Sequence, residues 1–208
     1  MLLTHIFGIP IRLHVSFVAL FGGFLLFSFF RGGLAAMVTT LVVGAVLVTS
    51  VLLHELGHAM AARRYGIGTD NITLYPFGGI ASITGHPRSA RQELIIALAG
   101  PAVNLVLFVA FALFFAATGS TVLLVGAAMN VIMGLFNLIP AFPMDGGRVL
   151  RAALSQRYGW YRATDLAMKV GKVFAWVFTV VGIATFSPSL LLVGLFLHVS
   201  LAAERRRV

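Results

Sequence analysis

Apolar runs near 15–30, 35–61, 93–117, 121–139, 170–186 and 188–203 dominate this chain and leave it few ways to fold. Each approaches the roughly 20 helical residues that cross a hydrocarbon core. Backbone amides find no water there, so such a run must satisfy them within its own helix. The expected fold class is an all-α polytopic membrane protein with six transmembrane helices. The first and last runs are the shortest and suit tilted or mobile helices. A charged content of 10%, against about 25% in soluble domains, excludes an ordinary water-soluble protein.

The basic residues orient the spans. With six crossings, fourteen of the 15 Lys and Arg residues share one face and only Arg31 lies opposite. Basic flanks are retained in the cytoplasm. Both termini and the connections 62–92 and 140–169 are therefore expected on the cytoplasmic side of a cell membrane. The net charge of +9 reads as topology, because no soluble basic domain carries it; a lipid bilayer is expected as partner and nucleic acid is not. Arg148, Arg151 and Arg157 read most simply as anchors to anionic headgroups. Ser16–Phe30 lacks a cleavage signal and reads as a retained span.

Composition changes within the first connection. Gly66 to Ile83 mixes β-branched and aromatic residues with Gly and Pro, which is strand and turn chemistry. A small membrane-associated β-sheet is expected in the β-rich connection 66–90, paired with the similar stretch Ile6–His14. No repeat or linker divides the chain, so residues 1–208 are expected to form one transmembrane domain.

Among the six acidic residues, Glu55 and Asp145 fall beside apolar runs, where an ionisable group marks a site. The second run ends in His54-Glu55-Leu56-Gly57-His58. Residues four apart on a helix point the same way, so both imidazoles can bind one Zn²⁺. Glu55 lies beside them as a general base toward water whose pKa the metal lowers to about 7. There are no cysteines, so thiolate ligands, cysteine nucleophiles and disulfides are excluded and further ligands must be His or carboxylate. Catalytic zinc keeps three protein ligands and one open position. The best third donor is Asp145, in the segment Phe136 to Arg148 that Pro140, Pro143, Gly146 and Gly147 make irregular. A turn or helix N-cap is the other reading of Asp145.

Three motifs in one order carry a resemblance: His54-Glu55-x-x-His58, then Ala99-Gly100-Pro101-x-x-Asn104, then Asn137-x-x-Pro140 before Asp145-Gly146. Together they resemble the site-2 protease family of intramembrane metalloproteases, over nearly the whole chain. The resemblance implies one Zn²⁺ per chain on His54, His58 and Asp145, with Glu55 catalytic. It also implies a zinc metalloendopeptidase whose substrate is a transmembrane segment of another protein, as in regulated intramembrane proteolysis. The sequence shows neither the nucleotide-sensing CBS pair nor the inserted PDZ domain of some relatives. A compact type is expected, regulated within its membrane core or by a segment removed from it.

Such an enzyme must also unwind its substrate. The expectation is that the substrate extends along an edge of the Asn71–Ile83 sheet, with Asn137 bonding its backbone or a developing oxyanion; capping or packing is the other role for Asn137. Gly100 and Pro101 suit a close-packed first helical turn, and Asn104 suits a bond to a neighbouring helix or the active-site loop. His5 and His14 read as interfacial, His86 as a loop residue and His198 as packing in the last span. The rival function is a metal or small-solute transporter using intramembrane His, Glu and Asp. It leaves the placement of Glu55 inside the His pair unexplained, and an inactive homologue leaves its retention unexplained.

Overall fold

The computed structural model describes residues 1–76 and 78–205 and is mostly helical. Phe77 of the expected sheet, and Arg206 and Arg207 of the basic cluster, lie outside the described residues. In chain order the elements are β1 (Leu2–Ile6), β2 (Ile9–Leu13), α1 (Val15–Arg63), β3 (Thr69–Tyr75), β4 (Gly78–Ile83), α2 (Ala90–Thr118), α3 (Thr121–Asn137), α4 (Asp145–Tyr158), α5 (Trp160–Ala184) and α6 (Pro188–Arg205). Four of these, α1, α2, α5 and α6, are long and apolar enough to cross a membrane, and α3 is a shorter apolar helix. The chain divides into two compact units, Met1–Pro87 with Ala102–Gly134, and Arg88–Pro101 with Leu135–Val208.

In the first unit the strands form one sheet in the order β1-β2-β3-β4. The two outer pairings are antiparallel and the central one is parallel, with Ile11 opposite Ile72 and Leu13 opposite Leu74. The opening stretch thus joins the sheet as expected. Ile9 and Ile11 on β2, and Ile72 and Leu74 on β3, recur at period two and share a buried face that packs on Leu56 and Ala59 of α1. A one-residue slip would turn these side chains to the other face, forfeiting about 1.5–3 kcal/mol of burial for each. The sheet is thereby held in register on the histidine-bearing end of α1.

Helix α1 is broken by non-helical dihedrals at Gly32 (φ −144°, ψ 19°) and Gly33 (φ 66°, ψ −158°). The chain folds back there: Ser28 Oγ lies 2.6 Å from Thr40 Oγ1, and the Phe21 ring sits against Gly44. The range given for α1 therefore holds two antiparallel apolar helices joined at Gly32 and Gly33. At its start, the His14 side chain caps the helix by accepting from the Ser16 amide, and its ring stacks on Tyr75.

The second unit is built around Ala141, Phe142, Met144, Ala167, Ala175, Leu197 and Leu201. It corrects two expectations and fills in a third stretch: the connection 140–169 holds α4 and the first turns of α5. Helix α4 carries Arg148, Arg151 and Arg157 and so has no apolar run to betray it, yet it buries Gly146, Gly147 and Ala152. Pro101 does not open a helix but lies inside α2. That helix starts at Ala90 because Ser89 and Gln92 cap it together: the Gln92 amide donates to Ser89 Oγ and the Arg88 amide to Gln92 Oε1. Arg151 is not a headgroup anchor. It is nearly buried, bonds Glu93 of α2 through Nε and Nη2 and approaches Glu204 of α6, with its guanidinium over Trp160 and Phe142.

Candidate metal centre

The last turns of α1 sort their side chains by angle. At about 100° per residue, His54 and His58 lie within about 40° of each other, while Leu56 and Ala59 face roughly the opposite way, toward the sheet. Glu55 falls between these two faces. The structure follows this division: His54 and His58 are buried apart from the apolar cluster that holds Leu56 and Ala59, and Glu55 is half-buried. Strand β4 closes over Glu55. A Cβ built on Gly79 would stand 2.5 Å from Glu55 Cγ, so only glycine admits this approach.

The two imidazoles meet through their Nε2 atoms, 3.1 Å apart, with the rings nearly perpendicular. Two nitrogens on one tetrahedral zinc stand about 3.3 Å apart, given bonds of about 2.0–2.1 Å. Nδ1 of His54 lies 2.5 Å from Asn104 Oδ1, the outer hydrogen bond that orients a metal-binding imidazole. Asn104, fully buried, is thus in contact with the site.

Asp145 is the first residue of α4, and Met144 rather than Asp145 occupies the N-cap. Gly146 and Gly147 let this turn sit against the preceding irregular backbone. A side chain on Gly146 would overlap the Leu138 and Ile139 carbonyls, and one on Gly147 would come 2.7 Å from the Phe142 amide nitrogen. His54 and His58 are buried in the first unit, and Asp145 is buried in the second. Two imidazoles and one carboxylate form the donor set of a catalytic zinc site. These residues fit Zn²⁺.

Of the other expected residues, Asn137 is the last residue of α3 and half-buried, and Pro140 lies half-buried in the irregular segment after it. Gly100 and Pro101 are buried within α2. His198 packs edge-on against Trp176, as its place in the last apolar run implies. Sequence reasoning missed Gly79, Ser50 and Asn130. The last two were signalled by polarity within apolar runs: Asn130 on α3 is a buried amide like Asn104, and Ser50 lies one helical turn before His54.

Several known proteins are similar to this chain. The model of peptidase family M50 matches residues 42–124 and 115–178. A zinc metalloprotease of Methanocaldococcus jannaschii is 38% identical over 99% of this chain and 60% of its own length. The putative zinc metalloprotease Rip3 of Mycobacterium tuberculosis is 39% identical over 74% of this chain and 42% of its own. The chain therefore spans about half the length of these curated relatives. Among solved structures, the site-2 protease from Methanocaldococcus jannaschii superposes with a TM-score of 0.73 at 35% identity, covering 98% of this chain and 94% of that one.

Proposed function

This chain belongs to peptidase family M50, the site-2 proteases, and from that premise we propose that it is an intramembrane zinc endopeptidase acting on a transmembrane segment of another membrane protein. The observation that carries the proposal is the buried pair of His54 and His58, with Nε2 atoms 3.1 Å apart, on the flank of a helix that also presents Glu55; Asp145 is the proposed third donor. Held by those three side chains, Zn²⁺ would supply a Lewis acid and would lower the pKa of water at the site toward about 7.

The chain's own residues do the rest. Glu55 takes the proton from the attacking water and returns it to the departing amine. Asn104 fixes the ring of His54. Strand β4 is an edge of the sheet and carries Gly79 against Glu55. An extended peptide added to β4 by main-chain hydrogen bonds would run past the general base. This addition also answers the second requirement of the reaction. A peptide bond in a transmembrane helix has its carbonyl committed to the helix, and pairing with a strand gives the unwound backbone new partners. Asn137 bonds the extended substrate.

The basic flanks support an orientation with both termini and the metal site toward the cytoplasm. The two arms of α1, with α2, α3, α5 and α6, make six crossings. The test is a purified Glu55→Gln variant with a single-span model substrate in liposomes. It should keep about one zinc per chain and lose cleavage by roughly 10²-fold or more; cleavage at the wild-type rate rejects the mechanism.

A further inference from the structure

A line of buried hydrogen bonds runs through α1, α2 and α3 and ends on a metal ligand. Asn130 Nδ2 donates to the Gly126 carbonyl at 2.9 Å and to Ser50 Oγ at 3.0 Å. Asn104 Nδ2 donates to Asn130 Oδ1 at 2.9 Å, and Asn104 Oδ1 faces His54 Nδ1 at 2.5 Å. Ser50, Asn104 and Asn130 are at most 1% exposed. Polar groups so deeply buried are costly to leave unpaired, so each must match its neighbour in donor and acceptor sense.

That matching has one solution. The Gly126 carbonyl has no proton to give, so Asn130 turns its amide nitrogen toward it and its oxygen toward Asn104. The Asn130 oxygen also only accepts, so Asn104 presents its NH₂ there and its own oxygen to His54. A carbonyl oxygen facing a ring nitrogen requires the proton on that nitrogen. His54 therefore carries its proton on Nδ1, and Nε2, the atom facing His58, keeps its lone pair.

We propose that Asn130, acting through Asn104, is a positioning residue that holds His54 in the Nδ1-protonated tautomer, the form whose Nε2 can ligate a metal. Its consequence for zinc rests on the metal-site reading above, whereas the tautomer rests on the hydrogen-bond line alone. The two tautomers carry the same charge, so the device selects between neutral forms without taking up or releasing a proton. Without the acceptor of Asn130, the Asn104 amide can rotate by half a turn. It then offers NH₂ to His54 Nδ1 and favours the Nε2–H form, which must lose that proton before it binds.

The test is ¹⁵N-imidazole NMR of the full chain in micelles, stripped of metal, with His54 assigned by the signal lost in His54→Gln, alongside zinc affinity measured by competition with a chelator. Wild type should show His54 protonated at Nδ1. Asn130→Leu should shift His54 toward Nε2–H and weaken zinc binding about 10–100-fold, the usual effect of losing such an outer partner. Adding Asn104→Asp to Asn130→Leu should restore both readouts, because a carboxylate accepts whichever way it turns. A merely structural Asn130 would alter stability but neither the tautomer nor its rescue. Nε2–H in the wild type overturns the proposal even where Asn130→Leu fails to fold. So do unchanged readouts in Asn130→Leu, or no rescue in the double variant. Wild-type chain with the Nδ1–H form and no zinc uptake would instead reject the metal reading while supporting the tautomer.

Discussion

Gly79 of β4 lies against the side chain of Glu55, close enough that a methyl group on Gly79 would press on Glu55 Cγ. The closest neighbours of that methyl are Cγ, Cδ and Oε1, all on the proposed general base. Gly79→Ala should therefore displace the carboxylate without touching either histidine. We expect cleavage of a single-span substrate to fall roughly ten- to hundredfold, part of what a positioned base contributes. Zinc content should stay at the wild-type value. Full activity in Gly79→Ala would mean that β4 gives way freely and does not set the position of Glu55.

The Arg151–Glu93 pair makes a prediction about stability. Glu93 is 3% exposed and Arg151 12%, and the pair ties α4 to the start of α2. Arg151→Met leaves a buried carboxylate without its cation, a loss on the order of 3–5 kcal/mol. The double change Arg151→Met with Glu93→Gln should recover most of that loss, because both charges are then gone. Glu204→Gln removes only the longer, 3.5 Å contact to a more exposed carboxylate, for which about 0–1 kcal/mol is expected. Thermal unfolding in detergent would rank the variants, and a Glu204→Gln loss as large as that of Arg151→Met would contradict this ordering.

How much of this was legible in the sequence depended on the range of the signal. His54, Glu55 and His58 lie within one turn and a half of a helix, so their relation follows from helical period alone. The sheet was legible from Gly66 to Ile83 because strand chemistry interrupts apolar runs, and even the pairing of the Ile6–His14 stretch followed from its similar character. Helix α4 was legible only as one reading of its start at Asp145, since a search for apolar length passes over an amphipathic helix rich in arginine. For the same reason Arg151 read as a surface anchor: its partners Glu93 and Glu204 are 58 and 53 residues away, and no local pattern announces a pairing at that separation. Asn104 was noticed as a polar residue in an apolar helix, but its direction toward His54 depends on packing among α1, α2 and α3. Gly79 gave no signal, because its role is set by what a side chain would strike.

Asn137 closes α3 and is half-buried, and its proposed role is to bond the extended substrate backbone. Asn137→Leu should lower cleavage while leaving zinc content and thermal stability near wild type. The effect should appear mainly in KM if Asn137 bonds the ground-state peptide, and mainly in kcat if it bonds the developing oxyanion. Loss of zinc or of the fold in Asn137→Leu would remove it from substrate binding and assign it to packing.

Metal removal separates ligand from base on a single helical turn. A ligand that binds only the folded chain stabilises it by about 4 kcal/mol at a thousandfold excess over Kd, so stripping zinc with a chelator should lower the Tm and readdition should restore it. His58→Ala removes one of the three proposed donors and should abolish most of that metal-dependent rise. Glu55→Gln alters no donor, and its Tm should respond to zinc as the wild type does although its activity is lost. Differential scanning calorimetry of wild type and both variants, with and without zinc, reads this contrast directly. If Glu55→Gln lost the zinc response, Glu55 would be a ligand, and the division of labour proposed between it and the histidine pair would be wrong.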